Sequence, residues 1–368
     1  MKVYLFDLLP YDQHFDQYKA DRHLPYPLPG DHFDAKVAAR SYEEHLAIWK
    51  EMDALGFDGV GLNEHHTTPH GLMNSPNMMA AVGAQHTRNL KFLLLGNLMP
   101  LHNPLRIAEE LAMADCMSRG RILSGFARGV PREYKVYQVP MSESRARFEE
   151  AIEVVMKAWT QDVFSHEGKF WQYKDVSIWP RPYQAPFPKC YLPFTGSKET
   201  IEFAAKHNFN AVIPHLKPGV MEDVTGYFGE RLSHYGHTLT PEHIVLFTDT
   251  YVASNKAEAI KEYSPYFLYF QQTLWHHGSR SEPGARAIPT SAPDRPCIRA
   301  ARRGRSRREC GRATCSPPSR VLRRCAAGCA AAPGCRAAGI SGSWCAARRP
   351  PPSCSASSSG RAVWCGAR

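Results

Sequence analysis

Residues 56–66 read Gly-Phe-Asp-Gly-Val-Gly-Leu-Asn-Glu-His-His, and this stretch decides the fold. Just before it, Leu46, Trp49, Met52 and Leu55 recur at helical spacing and give a helix one apolar face. Gly56 stops that helix, because a residue without Cβ enters the left-handed conformation at no steric cost. Residues 57–62 are short and apolar, as a buried strand is, and end in four polar residues, Asn63, Glu64, His65 and His66. Helix, glycine stop, apolar strand and polar strand end, in that order, mark a β/α unit of a parallel sheet.

The same order recurs on both sides. Residues 3–9 form a first strand. Ser41 with Glu44 three residues later is a capping box for the helix that follows. Residues 74–87 read as a helix and 91–99 as a buried strand. Asn103 caps the next helix and Pro104 opens it. Its apolar face is Leu105, Ala108, Leu111 and Ala112, and it ends near Gly120. Residues 121–127 are a fourth strand, and Phe148, Ile152, Val155 and Trp159 mark the helix after it. An aromatic, proline-rich insertion (164–188) precedes a fifth strand at 190–195 and a helix carrying Ile201, Ala204 and Ala205. A sixth strand at 210–214, a helix at 219–235 and a seventh strand at 243–253 follow. Ser254 caps a last helix, which Pro265 should kink or end. Seven such units predict an α/β fold, a (β/α)8 TIM-type barrel over residues 1–279 that lacks a native eighth strand.

Composition divides the chain at the same place. Its 368 residues carry a formal net charge of +10 and 11 Cys. Residues 280–368 hold 18 Arg, no Lys and three acids, a net +15, whereas residues 1–279 are −5. Nine cysteines lie from Cys297 onward, leaving Cys116 and Cys190 in the barrel. A basic arm that binds phosphates, a disulfide or zinc module, and a shifted reading frame in a GC-rich gene are the three readings of this tail. The absence of Lys, of paired C-x-x-C spacing and of any periodic pattern favours a frame-shifted, disordered, low-complexity segment. Nucleic-acid binding is then expected only if the tail is native. No apolar run reaches the 18 residues of a membrane span, and Asp7 interrupts the N-terminus too early for a signal peptide. A cytoplasmic enzyme is expected.

Active sites in such barrels lie at the C-terminal ends of the strands. There stand Glu64-His65-His66, Asn97, Arg128 and Gly196-Ser197, with Thr200 one turn on. Arg128 can clamp a phosphate, and Gly196-Ser197 opens a helix whose free N–H groups suit one. The plainer alternatives are that Arg128 pairs with Glu133 and that Ser197 is an ordinary cap. His65 and His66 point to opposite faces of a strand and do not readily share a metal, so none is expected. No G-x-G-x-x-G stands at a strand–helix junction, which argues against a built-in NAD(P)H site.

Four stretches, in order and at matching spacing, resemble the bacterial luciferase-like flavin-dependent monooxygenases. They are residues 56–66, Asn103-Pro-Leu-Arg-Ile-Ala-Glu109, residues 117–129 (Met-Ser-Arg-Gly-Arg-Ile-Leu-Ser-Gly-Phe-Ala-Arg-Gly) and Arg147-Phe-Glu-Glu-Ala-Ile-Glu153. The resemblance covers residues 1–278. It implies a TIM-type barrel, usually a homodimer, that takes reduced FMN (FMNH2) from a separate NAD(P)H:flavin reductase and uses O2 as co-substrate. By matching positions it implies Glu64 beneath the flavin ring and His65 as the catalytic imidazole. It puts a non-prolyl cis peptide at Leu95-Gly96 and phosphate contacts at Arg128, Ser197 and Thr200. Ala127 replaces the reactive cysteine of the light-emitting members, so the resemblance points to the limonene- or alkane-hydroxylating kind with a small apolar substrate. Two rivals stay open: a deazaflavin-dependent hydride-transfer enzyme on the same barrel, and a truncated fragment without activity.

Overall fold

The computed structural model describes residues 1–279 apart from 12–23, 195, 215 and 217. The basic tail at 280–368, and with it the expected place of an eighth strand, lies outside the described residues.

Among the described residues, seven strands form one parallel sheet in the order β1-β2-β3-β4-β7-β8-β9. They are β1 (Tyr4–Asp7), β2 (Gly59–Leu62), β3 (Lys91–Leu98), β4 (Ile122–Ala127), β7 (Cys190–Pro193), β8 (Asn210–Ile213) and β9 (Ile244–Leu246). Helices run between them: α1 (Ala35–Leu55), α2 (Pro76–His86), α3 (Pro104–Ser118), α4 (Pro131–Val136), α5 (Ser144–Thr160), α6 (Lys198–Lys206) and α7 (Pro218–His234). Sequence neighbours are spatial neighbours throughout, as the β/α alternation requires.

The sheet curls. Along β3, Phe92 and Leu94 pack outward in the main core with Trp49, Ile122 and Trp159. Leu93 and Leu95 turn the other way and meet Leu123, Tyr191, Val212, Tyr4 and Val245 from five other strands. That period-two alternation makes an outer core under the helices and an inner core inside the curl. The inner core brings the two edge strands together: the ring of Phe6 on β1 meets Phe247, just after β9, edge-on at 4.9 Å. Burial pushes the phenols of Tyr4 and Tyr191 up to about 12. Gly59 is needed here, since a Cβ on it would lie 2.3 Å from the Tyr4 ring. Outside, Asp7 binds α1 to β1 by accepting from Trp49 Nε1–H (2.8 Å) and holding His45 Nδ1 (2.7 Å), all three buried.

Several local expectations need correction. α1 starts six residues before Ser41, because the Asp34 side chain accepts from the Lys36 N–H at 2.8 Å and caps it earlier. Gly56 ends it as expected, at φ 81°. The insertion holds an antiparallel pair, β5 (Phe164–Glu167) and β6 (Gln172–Val176), whose turn is tied down when the Glu150 carboxylate accepts from the N–H groups of Lys169, Phe170 and Trp171. The seventh parallel strand is three residues, not eleven. Asn255 rather than Ser254 caps α8 (Lys256–Tyr269), accepting from the Glu258 N–H at 3.0 Å. Pro265 does not end that helix, which runs through a π-helical turn (Phe270–Leu274) into α9 (Trp275–Ser279). Among the described residues no helix is long and apolar enough to cross a membrane.

Candidate active site

β2 delivers Glu64, His65 and His66 to the C-terminal rim of the sheet, where the three side chains part company. Glu64 is 3 % exposed. Its Oε1 accepts from His66 Nε2 at 2.8 Å and from His102 Nε2, and its Oε2 accepts from the Leu98 N–H at 3.1 Å. The Tyr137 hydroxyl meets His66 Nδ1 at 2.9 Å, so a continuous hydrogen-bonded chain runs Tyr137–His66–Glu64–His102. Burial alone would raise the Glu64 pKa; the hydrogen bonds from His102 and His66 outweigh it and hold the carboxyl below its usual range. His102 is shifted upward, since its bond to Glu64 outweighs its own burial. Glu64, His66 and His102 bring one ligand atom each within 4.8 Å of one another, a spacing that a divalent ion could bridge. The three already satisfy one another by hydrogen bonds, which neutralises the carboxylate without an ion.

His65 goes elsewhere. Its Nδ1 lies 3.0 Å from Oε1 of Glu133, a carboxylate 1 % exposed that also accepts from the Val130 N–H at 2.8 Å. Glu133 therefore orients His65 and does not pair with Arg128, which disposes of the plainer reading of that arginine. His70 packs against His65 with ring centroids 4.2 Å apart, and Trp275 of α9 covers both, at 5.9 and 5.0 Å.

At β3 the Leu95–Gly96 peptide is cis, as the resemblance implies. The β3–β4 register breaks between Leu94 and Asn97, opposite Gly125. A Cβ on Gly125 would lie 1.8 Å from the Leu94 carbonyl oxygen, so only glycine lets the two strands approach there. Asn97 is buried but turned to the helices: its Oδ1 accepts from Asn77 Nδ2 of α2 at 2.8 Å. Its Nδ2 is buried without a partner among the described residues, while the N–H of the next residue, Leu98, bonds to Glu64.

The fourth group forms around the start of α6. Ser197 caps that helix, accepting from the Thr200 N–H at 3.4 Å. Arg145, in the first turn of α5, donates from Nη2 to Ser197 Oγ at 3.1 Å and lies 3.9 Å from Glu199. Arg128, past the end of β4, has its pKa lowered by burial and by the like charge of Arg145. Gly196, at φ +98°, leaves open space where a Cβ would stand. Two guanidinium groups and the first N–H groups of a nine-residue helix thus lie near one another, a basic cluster that suits a phosphate, while the Ser197 hydroxyl itself donates to Glu199 at 2.6 Å. Of the residues singled out in the sequence, Ser197 bonds to Thr200, and Arg128 lies within electrostatic reach of Arg145 and Glu199 beside them. The structure adds Arg145, His102 and Tyr137, which the sequence reading passes over, and gives Glu133 to His65. Arg145 lies 17 residues beyond Arg128 in a helical run, and only the packing of α5 beside α6 turns it to the phosphate side.

The family profile described as luciferase-like monooxygenase matches residues 25–327, past residue 279 where the sequence reading ends the barrel. The chain is 26% identical over 245 residues to the oxygenase component of the flavin-dependent trigonelline monooxygenase of Acinetobacter baylyi, covering 64% of this chain and 67% of that one. The solved monooxygenase RslO1 of Streptomyces bottropensis superposes with a TM-score of 0.64 at 25% identity, over 76% of this chain and 80% of that one. The oxygenating constituent of 3,6-diketocamphane monooxygenase of Pseudomonas putida, solved with FMN, gives 0.61 at 17% identity, over 74% of each chain. The chain spans about half to two thirds of the length of the curated relatives it matches. Its curled parallel sheet, its ordered motifs and the profile match over most of its length agree: the chain belongs to the luciferase-like monooxygenase family.

Proposed function

We propose that this chain is the oxygenase of a two-component, FMN-dependent monooxygenase acting on a small organic substrate. One observation supports the reading: a two-arginine cluster at the start of α6 and a carboxylate-oriented imidazole belong to the same rim of the curled sheet. Arg128, Arg145, Ser197 and the start of α6 would hold the phosphate, and Glu64 with Leu95 and Gly96 would lie under the ring. Bound reduced FMN supplies the electrons that activate O2. The chain's own part is proton handling and shielding. Glu133 holds His65 through Nδ1 and leaves Nε2 to give or take a proton. Trp275 and His70 cover that imidazole from water.

The oxygenase-component relative supports a separate NAD(P)H:flavin reductase as partner. A homodimer is part of the reading and is supported by an exposed apolar face: Met78 and Val82 on α2, Met113 and Met117 on α3, each at i, i+4 spacing. Two free cysteines in the barrel, Cys116 and Cys190, suit a cytoplasmic location.

His65→Ala tests the assignment. The variant is expected to bind reduced FMN as the parent does and to consume O2 with release of peroxide instead of product. Unchanged coupling would refute the role of His65. Substrate reduction without any O2 uptake would replace the reading by deazaflavin-dependent hydride transfer. A chain that binds neither cofactor is the inactive fragment.

A further inference from the structure

Arg132, on α4 beside Glu133, is 4 % exposed, and its Nε and Nη1 have no hydrogen-bond partner. A buried guanidinium ordinarily sits against a carboxylate, because an uncompensated charge in a low-dielectric interior is costly. Among the described residues no carboxylate pairs with Arg132, and its one favourable partner is the Tyr26 phenol. The Tyr26 ring covers one face of the guanidinium, with Cζ 3.7 Å from the ring centroid. His277 is held by the Thr68 hydroxyl at Nδ1 (3.0 Å) and donates from Nε2 to the Pro25 carbonyl (3.0 Å). Burial and the nearby Arg132 charge depress its pKa to about 4, so it stays neutral. The adjacent carboxylate, Glu133, is committed to His65 and the Val130 N–H. Aromatic contact on the face leaves the in-plane edges, where the N–H groups point, for an anion.

The same shell reaches His65. His277 bonds to Thr68, three residues beyond His65, and Trp275 on the same turn of α9 packs on His65 and His70. His70 is fully buried, and both of its ring nitrogens are also without partners. An anion held at Arg132 would carry an attached apolar body among Tyr26, Phe270 and Trp275 toward His65.

We propose that Arg132 anchors the carboxylate of a small organic-acid substrate whose apolar body faces His65. The proposal rests on the monooxygenase reading for what happens to that substrate, but the binding step does not need flavin.

The experiment uses the full chain without cofactor and takes benzoate as probe, with neutral benzamide as its isostere. Binding is read by calorimetry and by Trp fluorescence. The wild-type chain is expected to bind benzoate at least tenfold more tightly than benzamide. Arg132→Gln should abolish that preference. Arg132→Lys should keep part of it, and Arg145→Gln, which removes a cation from the α6 cradle, should leave it unchanged. Arg132→Met should melt no lower than the wild type, because it removes a buried charge that no carboxylate among the described residues pairs with, while Met keeps apolar contact with the Tyr26 ring. Equal affinity for benzoate and benzamide would overturn the proposal. So would a preference that survives Arg132→Gln or disappears in Arg145→Gln, or a lower melting temperature of Arg132→Met with benzoate affinity unaltered. FMN titration of the same samples tests the monooxygenase reading separately, so the two can fail independently.

Discussion

Glu64→Gln is the substitution whose outcome follows most directly from the geometry. The carboxylate is buried and accepts three hydrogen bonds, from His66, His102 and the Leu98 N–H. Glutamine keeps the shape but presents one acceptor and one donor. Depending on which way the amide faces, either the Leu98 N–H or both imidazole N–H groups then meet another donor, and the charge that raises the His102 pKa is gone. Removing one member of a buried, hydrogen-bonded charge pair costs about 3–5 kcal/mol. At roughly 2–4 °C per kcal/mol for a chain of this size, the melting temperature should fall by roughly 6–20 °C. The loss depends on pH in a defined way. Glu64 has a lowered pKa, so its contribution is present above its ordinary value of 4.5 and fades as pH falls through the lowered one. His102 has a raised pKa, so its contribution is present below its ordinary value of 6.5 and fades as pH rises through the raised one. The gap between wild type and Glu64→Gln should therefore be widest between pH 4.5 and 6.5 and narrow on both sides. Thermal melts of both proteins at half-unit pH steps measure it. A gap under about 1 kcal/mol, the worth of an ordinary exposed pair, or a gap flat from pH 4 to 9, would refute the network as an ionic one.

Arg145→Ala should weaken FMN binding by roughly 10–100-fold, the worth of one charge-assisted contact, and leave riboflavin, which has no phosphate, unaffected in a fluorescence titration. Gly125→Ala should yield no folded protein by circular dichroism, since a methyl 1.8 Å from the Leu94 carbonyl oxygen has nowhere to go. Met113→Glu combined with Met117→Glu should convert a dimer to monomer in light scattering without lowering the melting temperature by more than a few degrees, because both side chains are 44 % or more exposed.

The order of strands was legible because each is a short apolar run with a polar end, and the parallel register follows from the helices between them. Boundaries were less so. α1 is capped by Asp34 and not by Ser41, because any short polar side chain can cap and only the path of the chain chooses among them. Asn255 displaced Ser254 for the same reason. Pro265 signals a kink or an end, yet one missing N–H does not end a helix that runs on into the π turn. The β5–β6 pair escapes a sequence reading because β5 alternates buried and exposed residues over only four positions and β6 has no buried residue.

At the site, sequence alone determined which residues stand at strand ends: Glu64, His65, Arg128 and Ser197 are where the alternation puts them. It also separated His65 from His66, since neighbours on a strand face opposite ways. Partnership was decided by tertiary structure. His102 reaches Glu64 across 38 residues, Glu133 reaches His65 across 68, and Arg145 reaches Ser197 across 52. Asn97, though placed correctly along its strand, turned to Asn77 on the helix side once the β3 register shifted at Gly96. Local periodicity records which face a residue occupies. The partner it meets there depends on how helices and loops far apart in the chain pack over the curled sheet, and no short stretch of sequence contains that information.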